Sequence, residues 1–381
     1  MLSGNTLNFW LAKIGINLKT IGLFSLIALP YAIKYLIAPF IEKYNPAFLT
    51  KRKSWLALLA ILIFTFASLL GNSKPEDNIY STAILGFLLA LVSVTTDIVL
   101  DSYRVDISSQ NKSFGSSSAT FVFGYKIGML FSGAGAIFLS RFIEWRNIYI
   151  FFASIISILI IYIIAAIPDY QTKHEHKETP SLFKIFLKPL NQFSTFKELF
   201  IVVAFVLVYK IADNFVLSMI NPFLLSLGYD EYDISFVAKT FGFLGSILGA
   251  TIGGVVVSKY GIKNCLFYSG LLHMLTNLLF IIQYFLGYNL PLLYALTAYG
   301  TISAGMTISV YISYIMSISS GQFSGTKYAF FSSLMGFSRV ILPSASGFIV
   351  ESINWSGFFI LMFIISVPGL VLTRYLPQDT K

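Results

Sequence analysis

The chain has 381 residues, of which 56% are hydrophobic and 11% charged, with a mean hydropathy of +0.77. Soluble domains carry about 25% charged residues, so too few polar side chains are present to clothe a water-facing surface, and the chain reads as an all-α integral membrane protein. The net charge of +9 has no basic soluble module to carry it, which excludes a nucleic-acid-binding domain, and the single Cys265 excludes an internal disulfide framework or a CxxC redox pair.

A membrane span needs about 20 mostly apolar residues. Residues 1–12, "MLSGNTLNFWLA", reach only about 18 Å as a helix, short of the ~30 Å hydrocarbon core. They read as the outer half of a first span, with no basic n-region that would mark a signal peptide. Two explanations stand: a start codon set downstream of the true one, or a truncated, partly decayed paralogue. Eleven full spans follow, over 20–42, 55–71, 79–103, 115–140, 147–168, 199–223, 233–258, 264–286, 291–318, 327–350 and 356–376.

Residues 169–198 interrupt this series. They are polar, basic and broken by Pro180 and Pro189, so they form a linker between 1–168 and 199–381. Within the linker, "SLFKIFLKPL" carries its apolar residues on one helical face and suits a short helix on the membrane surface. The loop beginning "IEKY" at Ile41 is echoed by "VSKY" at Val257 in the second half. Two six-span halves, the first helix of one incomplete, are the layout of secondary transporters of the major facilitator type.

Lys and Arg cluster on one side of the spans: Lys43, Lys51, Arg52 and Lys53, then Arg104 and Lys112, the linker lysines, Lys259, Lys263, Lys327 and the C-terminal tail. The other side holds Lys13, Lys19, Lys74, Arg141 and Arg146. By the positive-inside rule the first set is cytoplasmic, together with the linker and the C-terminus.

Eight ionisable residues fall inside the spans: Lys34, Asp97, Asp101, Lys126, Lys210, Asp213, Lys239 and Arg339. Charges at such depth face a bundle interior or cavity and pair with each other or with solute. Five are basic and three acidic, so the interior suits an anionic solute. Lys34, Lys126, Lys210 and Arg339 lie near mid-span and are candidates to hold it, with Tyr125 and Tyr209 beside two of them and Lys239 toward the outer mouth. Both tyrosines also fit ordinary packing. Lys210 and Asp213, at i and i+3, fit either mutual neutralisation or a cavity pair.

Asp97 and Asp101 share one helix face but differ in depth. Asp101 is one turn nearer the cytoplasm and is expected to pair with Arg104 or with Lys51, Arg52 and Lys53 as part of a cytoplasmic gate. Asp97 has no basic residue one turn before it and lies in a low-dielectric region, where a carboxylate holds a proton readily. It is the first choice for a proton-coupling site, with Asp213 second. Two ridges of small residues, Gly245–Gly249–Gly253 and Gly124–Gly128–Ser132, are expected to let helices approach closely. Pro30, Pro39, Pro343 and Pro368 are expected to kink their spans. His174 and His176 sit in the polar linker and His273 is alone in a span. No GxSxG, HExxH or P-loop occurs, so no enzyme, metal site or cofactor is expected.

Several stretches together resemble the AmpG family of muropeptide permeases. They are "LKTIGLFSLIALPYAIKYLIAPFIEKYNP" from Leu18, "TTDIVLDSYRVD" from Thr95, "GYKIGMLFSG" from Gly124, "YKIADNF" from Tyr209, "AKTFG" from Ala238 and "SRVILPSASGFIVE" from Ser338. The resemblance spans nearly the whole chain. It implies proton-driven import, across the inner membrane of a Gram-negative bacterium, of N-acetylglucosaminyl-anhydro-N-acetylmuramyl peptides for peptidoglycan recycling. The implied partners are an anionic sugar-peptide, protons and membrane lipid, with a monomer as the default state. The family usually has Gln before the first Asp of the second stretch, where this chain has Thr96, which lacks the amide. The family's Asp-Arg pair is Glu42-Lys43 here, which preserves charge and stays with the gate. The eukaryotic acetyl-CoA transporters are similar too, so another bulky anion is the alternative solute. A non-transporting, decayed paralogue is the alternative role.

Overall fold

The computed structural model describes residues 2–16, 20, 23–44, 46, 49, 51–166, 181–340 and 342–377. Residues 167–180, which include His174 and His176 of the linker, lie outside them, as do Lys19 and the side chains of Lys51 and Lys239. Among the described residues the chain is helical throughout, with nine helices long and apolar enough to cross a membrane. The chain divides into two compact units, one of residues 1–107, 125–189 and 321–333, the other of 108–124, 190–320 and 334–381.

In the first unit, α1 (Leu7–Lys13) is short but well anchored. Leu7, Trp10 and Leu11 are buried, Trp10 stacks on Trp145 at 5.5 Å, and the Tyr149 hydroxyl donates to the Leu2 carbonyl at 2.9 Å. The expected span 20–42 is broken. A 3-10 turn (Phe24–Ala28) and one α turn (Leu29–Ala32) lead to Ile33 at φ −104°, ψ 14°, and only then does α2 (Lys34–Lys43) begin. The break follows Pro30, whereas Pro39 is carried inside α2 without interruption. Next come α3 (Lys51–Gly71), α4 (Ile79–Gln110), α5 (Phe114–Met129) and α6 (Trp145–Ala166). The 32 residues of α4 reach about 48 Å, so residues 104–110 continue the helix and are not the loop the sequence suggests. A short helix forms in the linker stretch expected to hold one, α7 (Leu182–Leu187), capped by Ser181. It docks on α2 through Tyr35, whose ring stacks on Phe186 and whose hydroxyl donates to the Phe186 carbonyl.

The second unit holds α8 (Phe196–Val208), α9 (Ile211–Ser226), α10 (Phe243–Tyr260), α11 (Ile262–Leu286), α12 (Leu290–Ser319) and α14 (Ser346–Tyr375), with α13 (Ser324–Val340) entering from the first unit. Helix α10 passes into α11 through Gly261 alone, at φ +81°, a value that suits glycine. The expected division between the last two spans falls at Asn354, whose φ of 58° and ψ of 176° break the helical path inside α14. Pro343 lies in a 3-10 turn ahead of α14, and Pro368 sits inside it. Two further interruptions, π turns at Leu130–Gly135 and Ala238–Gly242, have no proline to announce them.

The two small-residue ridges part company. A Cβ on Gly249 would stand 1.9 Å from the Ile302 carbonyl oxygen, and one on Gly253 would stand 2.7 Å from that of Met306. From the facing helix, a Cβ on Gly305 would meet the Ser246 carbonyl at 2.3 Å. The first ridge is therefore a close backbone contact between α10 and α12, as small residues permit in lipid. The second is not: a Cβ on Gly124 or Gly128 would have nothing within 4 Å. Overpacking costs about 1–3 kcal/mol, so Gly249→Ala is expected to lower the apparent Tm in detergent, while Gly128→Ala leaves it unchanged.

Candidate functional site

The charged residues of the first unit converge where α2, α4 and α13 meet. Helix α2 starts at Lys34, just after the break at Ile33, so the Lys34 side chain leaves the first turn toward α4. Its Nζ lies 3.3 Å from Asp101 Oδ2, and Arg104 Nη2 lies 2.9 Å from Asp101 Oδ1. One carboxylate thus serves two cations. Tyr328 completes the group: it accepts from Arg104 at 2.7 Å, and its ring lies under both cations, 5.7 Å from Lys34 Nζ and 5.2 Å from the Arg104 guanidinium. Of the two partner sets expected for Asp101, Arg104 is present. Lys34, read from the sequence as a solute contact, is the second partner.

Arg52 goes elsewhere. It forms an ion pair with buried Asp106, and it also donates to the Ser102 carbonyl at 3.2 Å and to the Ser324 hydroxyl at 3.4 Å. Nearby, Glu42 accepts from the Gly325 backbone amide at 2.9 Å. Lys43 lies over the Tyr44 ring at 5.6 Å, and Lys53 is on the first turn of α3.

Asp97 behaves differently from Asp101. It is exposed and, among the described residues, has neither a hydrogen bond nor an ion pair. Its electrostatic neighbours are Asp101, Lys34 and Arg104. Tyr31 lies beside Ser93 and is in range of both Asp97 and Tyr125. Thr96 points the other way: it is buried and donates to the Val92 carbonyl at 2.9 Å. On α5, Tyr125 is exposed and Lys126 half-buried.

The second unit has its own cluster. The chain turns between α8 and α9 at Lys210, the residue preceding α9, which places Asp213 in the first turn of that helix. Asp213 Oδ2 pairs with Lys210, and Asp213 Oδ1 lies 2.8 Å from His273 Nε2. The other ring nitrogen, Nδ1, is 2.9 Å from the Ser303 hydroxyl. Tyr209, next to Lys210, donates to the Leu266 carbonyl at 2.7 Å, packs on Phe205 and Tyr311, and lines a small cavity beside Asp213. Arg339, near the end of α13, is exposed.

Asp106, Tyr328, His273 and Ser303 carry these clusters and were not singled out by sequence. A histidine within an apolar span is itself a signal, but nothing in the spacing ties His273 to Asp213, 60 residues away. Asp106 ends the stretch "TTDIVLDSYRVD" and lies beyond residue 103, where the apolar run stops, so only the continuation of α4 brings it to Arg52.

The sequence pattern of the Major Facilitator Superfamily matches residues 1–276 and 203–381. A protein named as transporter AmpG 1 of Rickettsia bellii is 37% identical over 385 residues, covering 98% of this chain and 93% of that one. The anhydromuropeptide permease of Escherichia coli K12 is 29% identical over 373 residues, covering 97% and 75%. In structure, the E. coli fucose:proton symporter FucP aligns with a TM-score of 0.73 over 99% of this chain and 95% of its own, at 14% identity. The proton:xylose symporter XylE aligns at 0.67 over 94% and 86%, with 11% identity. These likenesses show the fold, and with the family match they define a multi-pass membrane transporter. The chain belongs to the AmpG family of the Major Facilitator Superfamily.

Removing one partner of a buried ion pair costs about 3–5 kcal/mol, because the other charge is left behind. Asp106→Ala is therefore expected to destabilise strongly, and Arg52→Ala with Asp106→Ala to cost less than the sum of the two single changes, in denaturation measured in detergent.

Proposed function

We propose that this protein imports anhydro-muropeptides across the bacterial inner membrane by proton symport and so serves peptidoglycan recycling. The observation that carries the reading is the identity of 29% to a protein named anhydromuropeptide permease, over 97% of this chain. The peptide carboxylates make such a solute an anion.

The charges around Asp97 supply a coupling mechanism. With Asp97 ionised, Lys34 and Arg104 are balanced by Asp97 and Asp101, and the group is neutral. With Asp97 protonated, the same group carries +1. Binding the proton therefore raises the attraction for an anionic solute, and binding the solute favours the proton by the same factor. Asp97 suits this role because it is accessible and unpaired among the described residues, whereas Asp101 accepts from two cations. Lys126, Tyr125 and Arg339 are the proposed solute contacts, with Lys239 toward the outer mouth. Lys34 and Lys210, held by carboxylates, act on the solute through their field. Thr96, facing its own helix, shapes the wall behind Asp97.

The Arg52–Asp106 pair, Glu42 on the Gly325 amide, the Arg104–Asp101 pair, and Lys43, Lys51 and Lys53 form the proposed cytoplasmic gate, on the side where the linker and C-terminus also lie. Access alternates as in other secondary transporters.

Uptake of labelled anhydro-muropeptide into proteoliposomes tests the reading. An inward proton gradient is expected to drive accumulation, and Asp97→Asn and Lys126→Ala to abolish it at unchanged protein levels. Accumulation indifferent to the gradient would refute the coupling. Competition by a nucleotide thioester but not by muropeptide would favour a different bulky anion.

A further inference from the structure

The first unit's coupling group leaves a second cluster unexplained. His273 lies in the middle of α11, between Asp213 on α9 and Ser303 on α12. The cluster adjoins a small cavity, lined also by Tyr209, Thr307 and Ser366, with room for about one water. Buried polar groups are normally satisfied, and a group whose protonation changes usually loses a hydrogen bond in one of its two states. This site does not.

In the neutral ring, Nε2 carries the hydrogen and donates to Asp213 Oδ1 at 2.8 Å, while Nδ1 accepts from the Ser303 hydroxyl at 2.9 Å. When a proton is added it occupies Nδ1, which then donates to Ser303 Oγ. The Ser303 hydroxyl hydrogen rotates to the Gly300 carbonyl, already placed at 3.0 Å. Thr276, 3.4 Å from Ser303 Oγ, is compatible with both arrangements. Asp213 accepts from Lys210 on one oxygen and from His273 on the other throughout.

We propose that His273 is a proton-binding residue of the transport cycle, with Asp213 fixing its tautomer and Ser303 acting as a reversible hydrogen-bond partner. The proton is delivered through the small cavity by hydronium, which leaves as water, and is released to water on the opposite side of the membrane once access has alternated. Lys210, Asp213 and His273 together then pass from neutral to +1. This assignment rests on the reading of the protein as a proton-driven importer. It also moves the second proton site from Asp213, where the sequence places it, to the ring beside it.

The groups facing the ring are few. From α9 and its preceding turn come Asp213 and Lys210, and from the end of α8 comes Tyr209, whose hydroxyl is engaged by Leu266. From α12 comes Ser303, while Tyr299 on that helix bonds the Leu272 carbonyl. Helix α14 presents Ser366 and Leu370 at this level, and its Arg374 lies over Phe267, nearer the start of α11. Helix α10 carries its described ionisable residues, Lys259 and Tyr260, at its far end.

Two measurements on the full chain in lipid test the proposal. The first uses protein labelled with ¹⁵N-histidine and carrying His174→Gln and His176→Gln, which leaves His273 as its one histidine. Nδ1 is expected to gain a proton as pH falls, while Nε2 stays protonated. A ring that keeps one protonation state at every pH where the protein is folded, or one that titrates at Nε2, would overturn the proposal. The second compares gradient-driven accumulation of labelled anhydro-muropeptide with gradient-free exchange in proteoliposomes. His273→Gln, which retains an amide for Asp213 or Ser303, is expected to lose about tenfold or more in accumulation and to keep exchange within about twofold of wild type. Accumulation near the wild-type level, or loss of both activities together, would count against His273. If the wild-type protein moves no muropeptide, the import reading fails, and the histidine titration still decides the protonation of the ring.

Discussion

Asp101 holds two cations on one carboxylate, Lys34 at 3.3 Å and Arg104 at 2.9 Å. A charge left alone at membrane depth is costly, and this shared carboxylate, with the ring of Tyr328, offsets that cost for both Lys34 and Arg104. The local geometry goes with it. The chain breaks at Ile33, after Pro30, and the new helix opens on Lys34, whose side chain reaches Asp101. Arg104 lies within α4, which runs on to Gln110, and from there it reaches both Asp101 and Tyr328. Asp106 is then carried to Arg52 by that same continuation.

The second unit answers the same constraint in another way. Asp213 again takes two partners, but one of them is a histidine, whose charge is optional. The proposed mechanism reads both clusters alike: each is neutral at rest and gains one positive charge on protonation, at Asp97 in the first and at His273 in the second. An anionic solute is the natural counter-charge for such a state. This account assigns distinct work to side chains that share a charge sign. Asp101 and Asp213 organise cations, and Asp97 stands exposed beside such an organised group.

Much of this was legible in the sequence. The apolar runs marked the spans, and depth together with the neighbouring Arg104 separated Asp97 from Asp101, because a helix places i and i+4 on one face at different heights. The pair of Lys210 with Asp213 followed from i, i+3 spacing. The remainder depended on contacts distant in sequence. Nothing local linked His273 to Asp213, Lys34 to Asp101 or Arg52 to Asp106. The Gly124–Gly128–Ser132 spacing looked like the Gly245–Gly249–Gly253 ridge, yet only the latter meets a facing backbone, since spacing records a smooth face and not what lies against it. Helix breaks were legible where Pro30 and Pro343 stood nearby and at Asn354, which lies between the last two apolar runs, and not at the two π turns, which no proline announces.

The central claim is that protonation and anion binding favour each other. Linkage makes this directly measurable, since a solute that binds the protonated form better must draw protons from solution. Purified protein in weakly buffered detergent solution, mixed with anhydro-muropeptide in the presence of a pH indicator, is predicted to take up protons as it binds, with a smaller uptake in Asp97→Asn. Binding without any proton uptake would contradict the account.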